Sequence, residues 1–67
     1  MTYQTKGVNM KFGLEGKKCI IVKGDYKGQE GIIIEETGYT EGYGVVCKIR
    51  LDNGKTVEYS HDFFEEL

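Results

Sequence analysis

The amino-acid sequence predicts a small all-β barrel of four or five strands. Short runs rich in β-branched residues recur at close spacing, which is typical of the strands of small barrels. Glycine-rich segments separate these runs, and the 67 residues include ten glycines and no proline. No segment shows a convincing helical period. A domain of this length is close to the lower limit for independent folding, and closing a sheet into a barrel is one way to stabilise it.

The predicted barrel begins after a short leader. Residues 1–13 show no sustained period, and we expect a loose leader or a short edge strand there, since chain termini are often poorly ordered. Residues 14–67 therefore form the predicted domain. Its first strand lies within residues 17–23, KKCIIVK, which are dense in β-branched residues. Residues 30–37 resume the strand pattern with three consecutive isoleucines, and such an unbroken apolar run predicts a strand covered on both faces.

The second half of the chain is predicted to supply the remaining strands. Residues 38–44 contain three glycines and two tyrosines and predict a loop. In residues 45–51 the odd-numbered positions are apolar, as expected for a strand with one buried face. Asn53-Gly54 predicts a hairpin turn, because both residue types tolerate positive φ, and residues 55–59 form the return strand. Residues 60–67 predict one turn of 3₁₀ or α-helix, capped by the serine at its start, and then a last short strand.

Charge and cysteine content predict a soluble, cytoplasmic protein. The formal net charge is −2, which argues against a histone-like or ribosomal-type coat on nucleic acid. Residues 1–34 carry six lysines and three acidic residues, whereas residues 35–67 carry three basic and eight acidic residues. Cys19 and Cys47 lie in apolar runs, where free buried thiols are expected, and a disulfide between adjacent strands is the alternative. No apolar run resembles a signal peptide or a membrane span.

Three glycines interrupt the strand pattern in VKGDYKGQEGIII, residues 22–34. Gly24 and Gly28 bracket a five-residue turn. Gly31 lies inside the next strand, where it predicts a bulge or a close approach of the backbone at a barrel bend. A phosphate-binding loop is the alternative, but such a loop opens a helix, and no helical pattern follows here. The predicted structural-turn residues are Gly24, Gly28, Gly31, Asn53 and Gly54.

This stretch resembles the KOW motif, the strand–loop–strand element of the elongation factor NusG and of certain ribosomal proteins. In the motif, hydrophobic residues precede a glycine, an aromatic or small residue and Lys-Gly; two variable residues then lead to another glycine and further hydrophobic residues. The matching positions here are Val22, Gly24, Tyr26, Lys27, Gly28, Gly31 and Ile33. The end of the chain, KIRLDNGKTVEYSHDFFEEL, also resembles the closing half of an SH3-like barrel. The resemblance implies a five-stranded SH3-like barrel with a short 3₁₀ turn before the last strand.

The residues do not favour catalysis or a bound metal. His61 is the only histidine, and a surface histidine at the start of a helical turn is the simpler interpretation. Metal sites usually need three or four ligands at suitable spacing, and the cysteines stand singly. The pairs Glu35-Glu36 and Glu65-Glu66 point to opposite faces of a strand and cannot work together as acid and base. We therefore predict no enzyme activity, no cofactor, no metal and no small-molecule substrate.

The KOW resemblance implies a binding module that contacts RNA, DNA or a protein of the transcription or translation machinery. Aromatic rings can stack on bases while lysine and arginine contact phosphates. The predicted ligand-binding residues are Lys23, Tyr26, Lys27, Tyr39, Tyr43, Lys48 and Arg50. The alternative for these residues is a solvated surface, with Tyr26 packed over the glycine turn. Because Asp25 and Glu30 lie among the lysines, we expect nucleic-acid binding to be weak and salt-dependent.

A protein-interaction module is the alternative function. The tyrosines of the loop at residues 38–44 would serve as rigid amphipathic anchors. The acidic residues near the end of the chain would attract a basic partner and speed encounter. These residues are Glu58, Asp62, Glu65 and Glu66. The small size also fits an accessory or inhibitory protein encoded by a phage or another mobile element. No membrane partner is predicted.

Overall fold

The computed structural model describes residues 13–67, and these residues form the predicted all-β fold. The strands are β1 (Lys18–Ile21), β2 (Glu30–Thr40), β3 (Gly44–Leu51), β4 (Thr56–Ser60) and β5 (Phe64–Glu66). A 3₁₀ turn, His61–Phe63, precedes β5. All pairings are antiparallel, in the order β4-β3-β2-β1-β5. The five strands and the 3₁₀ turn before the last strand agree with the prediction. The predicted leader, residues 1–13, lies outside the described residues apart from Gly13.

The core is built from the inward-facing residues of the strands. In β3 the apolar odd-numbered positions are all buried, which confirms the alternation predicted for this strand. The buried hydrophobic residues are Leu14, Cys19, Ile21, Ile33, Val45, Cys47, Ile49, Leu51 and Phe64. Each large side chain of this kind contributes about 1.5–3 kcal/mol when it is fully buried. Tyr26, Val57 and Tyr59 are partly buried against the core.

The three isoleucines of β2 do not share one environment. Ile33 is completely buried, whereas Ile34 is 37 % exposed. The register with β3 shifts between Ile33 and Glu35, which marks a β-bulge or irregularity at Ile34. The prediction of a strand covered on both faces is therefore wrong. Up to the bulge the strand keeps the two-residue alternation of a half-buried sheet, and its outer face meets solvent.

At Gly31 the backbones of β2 and β3 lie so close together that there is no space for a side chain. Gly31 lies opposite Leu51 in the register. A Cβ atom at Gly31 would lie 2.5 Å from the Arg50 carbonyl oxygen and 3.0 Å from Ile49 Cγ2. Real Cβ atoms essentially never approach backbone oxygen this closely. The predicted close approach at this glycine is confirmed.

The turn between β2 and β3 is shorter than predicted. Residues Gly38 to Thr40 belong to β2, so only residues 41–43 form the turn. The Tyr43 N–H donates to the Thr40 carbonyl oxygen at 3.1 Å. The register shift between Glu36 and Gly38 lies next to the glycine within the strand, and the adjacent threonine and tyrosine residues favour extended backbone. The prediction of a loop over all of residues 38–44 is wrong for this reason.

The turn between β3 and β4 uses the predicted asparagine and glycine, but in a different geometry. Among non-glycine residues of the described chain none has positive φ, so only Gly54, with φ +91°, is left-handed here. The Gly54 N–H donates to the Leu51 carbonyl oxygen at 2.9 Å, and the Lys55 N–H donates to Asn53 Oδ1 at 2.8 Å. These bonds indicate a three-residue hairpin loop that closes with a left-handed glycine.

Both cysteines are buried as free thiols. Cys19 lies on β1 and Cys47 on β3, with β2 between them, so a disulfide between adjacent strands is excluded. Burial raises the pKa of both thiols, and it raises that of Cys47 to about 11 with the help of the nearby negative charge of Glu36. Both thiols are therefore neutral, unreactive parts of the core at physiological pH.

The pKa of Cys47 predicts a loss of stability in alkaline solution. Between the ordinary thiol pKa of 9.0 and the folded value of about 11, the unfolded chain loses the Cys47 proton and the folded chain retains it. The unfolding free energy should therefore fall as the pH rises through this window, by about 3 kcal/mol. Urea unfolding of the wild type and of Cys47→Ala at a series of pH values measures the effect. Parallel pH profiles for the two proteins would contradict the prediction, because the cavity in the variant costs the same at every pH.

Candidate functional site

The loop between β1 and β2, residues 22–29, packs against the 3₁₀ turn. The Val22 N–H donates to the Phe63 carbonyl oxygen at 2.8 Å, and the Gly28 N–H donates to the Ile21 carbonyl oxygen at 2.8 Å. Gly24 has φ +82°, and a Cβ atom there would lie 3.3 Å from the Phe63 ring. A glycine thus allows both the backbone turn and the close approach to the ring. Side chains of the loop and of the 3₁₀ turn consequently form one surface.

Two aromatic rings form the centre of this surface. Tyr59, near the end of β4, stacks on Phe63 with a centroid separation of 4.7 Å and an interplanar angle of 27°. Both rings are half-buried, so each keeps part of its surface in solvent. Tyr26 is also half-buried and packs against the core, which supports a packing role for this residue. We call Lys23, Tyr26, Lys27, Tyr59, Asp62 and Phe63 the loop–turn surface.

Lys23 is positioned by both an acid and a ring. Its Nζ lies 3.2 Å from Asp62 Oδ2 and 5.8 Å from the centroid of the Phe63 ring. Such a placement combines an exposed ion pair with a cation–π contact. Exposed ion pairs add little to stability. The pair therefore acts mainly on orientation and charge: it holds the ammonium beside the ring while the carboxylate neutralises it.

The serine predicted to cap the 3₁₀ turn has a different role. The Ser60 side chain makes no capping hydrogen bond to the backbone. Its hydroxyl instead donates to Asp62 Oδ1 at 2.5 Å. This hydrogen bond, and secondarily the Lys23 ammonium, hold the pKa of the Asp62 carboxyl below its ordinary value. Asp62 is therefore ionised at neutral pH and aimed at Lys23.

Lys27 differs from Lys23 in its surroundings. It lies on the exposed part of the loop, and its backbone N–H donates to the Gly24 carbonyl oxygen at 3.2 Å. Within residues 13–67 its ammonium group makes no ion pair. Lys27 is thus the cation of the loop–turn surface that can meet an anion without displacing a carboxylate.

Tyr39 and Tyr43 lie away from this loop. The loop at residues 22–29 immediately precedes β2, whereas Tyr39 lies near the last residue of that strand and Tyr43 in the turn that follows. The two tyrosines are 63 % and 60 % exposed. They and the β1–β2 loop are therefore at opposite ends of an eleven-residue strand.

Lys48 and Arg50 form a third group on the outer face of β3. Lys48 Nζ lies 3.8 Å from Glu35 Oε1, and Glu58 is its register partner on β4. Arg50 lies between Ile32 and Thr56 in the register. The structure thus places the seven predicted ligand-binding residues in three groups rather than on one continuous face.

Sequence reasoning did not select two aromatic residues of the loop–turn surface. The sequence pattern predicts a strand at Tyr59 and a turn at Phe63, and it indicates no binding role for either residue. Their contact with Gly24 depends on the closure of the barrel, which brings together residues 35 or more positions apart. The sequence predicts Asp62 as one of the acidic residues near the end of the chain that would attract a basic partner. In the structure its carboxylate forms an ion pair with Lys23.

His61 lies at the start of the 3₁₀ turn, as predicted. Its Nε2 is 3.8 Å from Glu66 Oε2, and its ring meets Phe64 edge-on at 5.1 Å. In the part of the chain that the structure describes, no three histidine, cysteine or acidic side chains are grouped so that they could hold a metal ion. Over the same residues no helix is long and apolar enough to cross a membrane.

Comparisons with known proteins identified no relative of this chain. No protein-family model matches the chain, and neither the curated proteins nor the solved structures contain a significant match to it.

Proposed function

We propose that the chain is a non-catalytic, KOW-type binding module that contacts single-stranded nucleic acid through the loop–turn surface. The observation that carries this proposal is the position of two lysines on a loop that packs against a stacked aromatic pair. Lys23 lies beside the Phe63 ring, and Lys27 follows on the same loop. The KOW resemblance assigns nucleic-acid contact to the same loop.

The chemistry of the surface favours single strands over duplexes. Partly exposed rings such as those of Tyr59 and Phe63 can stack on unpaired bases, and each such stack stabilises a complex by about 1–3 kcal/mol. Bases in a duplex are already stacked on one another and offer no free face. Phosphates on either side of the stacked base would meet Lys23 and Lys27.

Asp62 sets the expected strength of binding. A phosphate that approaches Lys23 must compete with a carboxylate 3.2 Å away, whereas Lys27 has no such competitor among the described residues. With at most two phosphate contacts, the logarithm of the affinity should fall against the logarithm of salt concentration with a slope of about −1.4. Binding is therefore expected to be weak and dependent on salt. A cytoplasmic location fits this function and the free thiols of Cys19 and Cys47.

Fluorescence anisotropy with labelled single-stranded RNA, single-stranded DNA and duplex DNA tests the proposal. Lys27→Glu is expected to weaken binding of single strands by about tenfold and to reduce the salt slope by about 0.7. Lys17→Glu, which makes the same charge change at the other end of β1, is the matched control and should change affinity less than about twofold. Absence of binding at low salt, or equal losses in both variants, would contradict the proposal.

Removal of the competing carboxylate should have the opposite effect. Asp62→Asn keeps an oxygen that can accept the Ser60 hydroxyl hydrogen bond but leaves Lys23 without its counter-charge. The affinity for single strands is expected to rise about threefold to tenfold, and more at low salt than at high salt. The same anisotropy titration measures it, with Glu65→Gln as a control for the change in net charge. An unchanged affinity in Asp62→Asn would show that Lys23 does not contact phosphate.

A further inference from the structure

The turn between β3 and β4, residues 52–55, places an asparagine side chain next to an unhindered backbone nitrogen. Asn53 and Gly54 are both exposed. A Cβ atom at Gly54 would meet nothing within 4 Å, so no neighbouring group covers this part of the turn. Glycine has no side chain that would obstruct its own backbone nitrogen, and asparagine is among the thermolabile residues. Both residues lie outside the loop–turn surface, so the inference below does not depend on nucleic-acid binding.

The two residues can react with each other, and water is the only further reactant. The Gly54 backbone nitrogen loses its proton to water or hydroxide and attacks Cγ of the Asn53 side chain. The bond from this nitrogen to Cγ closes a succinimide ring, while the bond from Cγ to Nδ2 breaks and Nδ2 takes up a proton and leaves as ammonia. Water then opens the ring at one of its two carbonyl groups and gives aspartate or isoaspartate at this position.

Hydrogen bonds restrain both reacting groups in the folded turn. The Gly54 N–H donates to the Leu51 carbonyl oxygen at 2.9 Å. The Lys55 N–H donates to Asn53 Oδ1 at 2.8 Å. The first hydrogen bond must break before the nitrogen can lose its proton, and the second holds the side-chain amide in one orientation. The closed turn is therefore less reactive than the same residues in an open chain.

We propose that Asn53 is a deamidation site that the folded turn restrains, and that the reaction proceeds when this turn opens locally. One further hydrogen bond, from the Asp52 N–H to the Glu30 carbonyl oxygen at 2.9 Å, ties the turn to β2. Residues 52–55 are all exposed, and exposed backbone segments open without unfolding of the core. The rate in the folded chain is thus the rate in the open chain multiplied by the fraction of time that the turn is open.

Mass spectrometry of the full chain tests the proposal. The protein is incubated slightly above neutral pH, either folded or unfolded in guanidinium chloride, and is then cleaved after lysine and arginine. The fragment of residues 51–55 contains Asn53 as its only asparagine, so its aspartate and isoaspartate forms measure this site alone. The folded chain is expected to react at least about tenfold more slowly than the unfolded chain. Equal rates would overturn the proposal, and so would the absence of both products from the unfolded chain.

A core variant distinguishes local opening of the turn from global unfolding. Cys47→Ala removes a completely buried thiol and weakens the core, and it changes none of the groups that hydrogen-bond in the turn. Local opening predicts that this variant deamidates within about twofold of the wild-type rate. Acceleration in proportion to the loss of stability, measured by urea unfolding, would overturn the proposal in favour of reaction from the unfolded chain.

The stability of the product tests whether the hydrogen bond to Leu51 holds the turn closed. Isoaspartate adds a methylene group to the backbone before Gly54, so the Gly54 N–H no longer points at the Leu51 carbonyl oxygen. Aspartate keeps the backbone and an oxygen that can accept the Lys55 N–H. The purified isoaspartate form is expected to have a Tm about 5 °C below that of the wild type, and Asn53→Asp a Tm within about 2 °C of it. Equal Tm values for the two forms would overturn the proposal, because this hydrogen bond would then not restrain the turn.

Discussion

Replacement of Gly31 by alanine is expected to lower the unfolding free energy by about 3 kcal/mol. The new Cβ atom would lie 2.5 Å from the Arg50 carbonyl oxygen, and no change of side-chain rotamer can move a backbone atom away. The strands β2 and β3 would have to separate, and this would disturb the register pair between Gly31 and Leu51 in the core. In a domain of this length such a loss corresponds to a fall in Tm of roughly 15 °C.

Gly38→Ala is the matched control for this prediction. Gly38 lies on the same strand, but a Cβ atom there meets nothing within 4 Å and its φ lies outside the left-handed range. Alanine at Gly38 should therefore change the unfolding free energy by less than about 0.5 kcal/mol. Thermal and urea unfolding of both variants measure the difference. Equal stability of Gly31→Ala and Gly38→Ala would show that the two strands are not held as closely as the structure describes.

The features that sequence analysis predicted correctly depend on local patterns. The alternation in residues 45–51 determines which face of β3 is buried. Gly31 is informative because glycine weakens a strand and is typically found there where another backbone approaches closely. Short runs of β-branched residues and glycine turns predict where the strands lie along the chain. These signals act over a few residues, where side-chain period and backbone freedom decide the structure.

The features that were predicted wrongly or not at all depend on contacts that the local pattern does not contain. Whether Ile32 and Ile34 are covered depends on what packs outside the sheet, and the sequence of β2 does not specify this. The ion pair between Lys23 and Asp62 joins residues 39 positions apart. It exists because the 3₁₀ turn closes the barrel beside the β1–β2 loop. The candidate site is therefore predicted only in its lysines and Tyr26, and the aromatic pair required the structure.

Adjacent phenylalanines allow stability and binding to be separated. Phe64 is 1 % exposed and lies at the centre of the core, so Phe64→Ala is expected to cost about 3–5 kcal/mol. A core of this size rarely supplies more than that, and the variant should be largely unfolded. Phe63 is half-buried, and Phe63→Leu keeps an apolar side chain while it removes the ring that stacks on Tyr59. This variant should remain folded at a cost of about 1 kcal/mol.

The binding of single-stranded nucleic acid distinguishes a structural from a functional role for Phe63. If the ring accepts a base, Phe63→Leu loses about tenfold in affinity although its circular dichroism and cooperative unfolding are retained. Phe63→Tyr, which keeps an aromatic face beside Lys23, should bind within about twofold of the wild type. If the tyrosine variant binds nucleic acid like the wild type and the leucine variant does not, binding requires an aromatic face at this position and not merely apolar volume. Equal affinity in the leucine and tyrosine variants would assign Phe63 to packing alone, and the lysines of the loop would then bind phosphate without a stacked base.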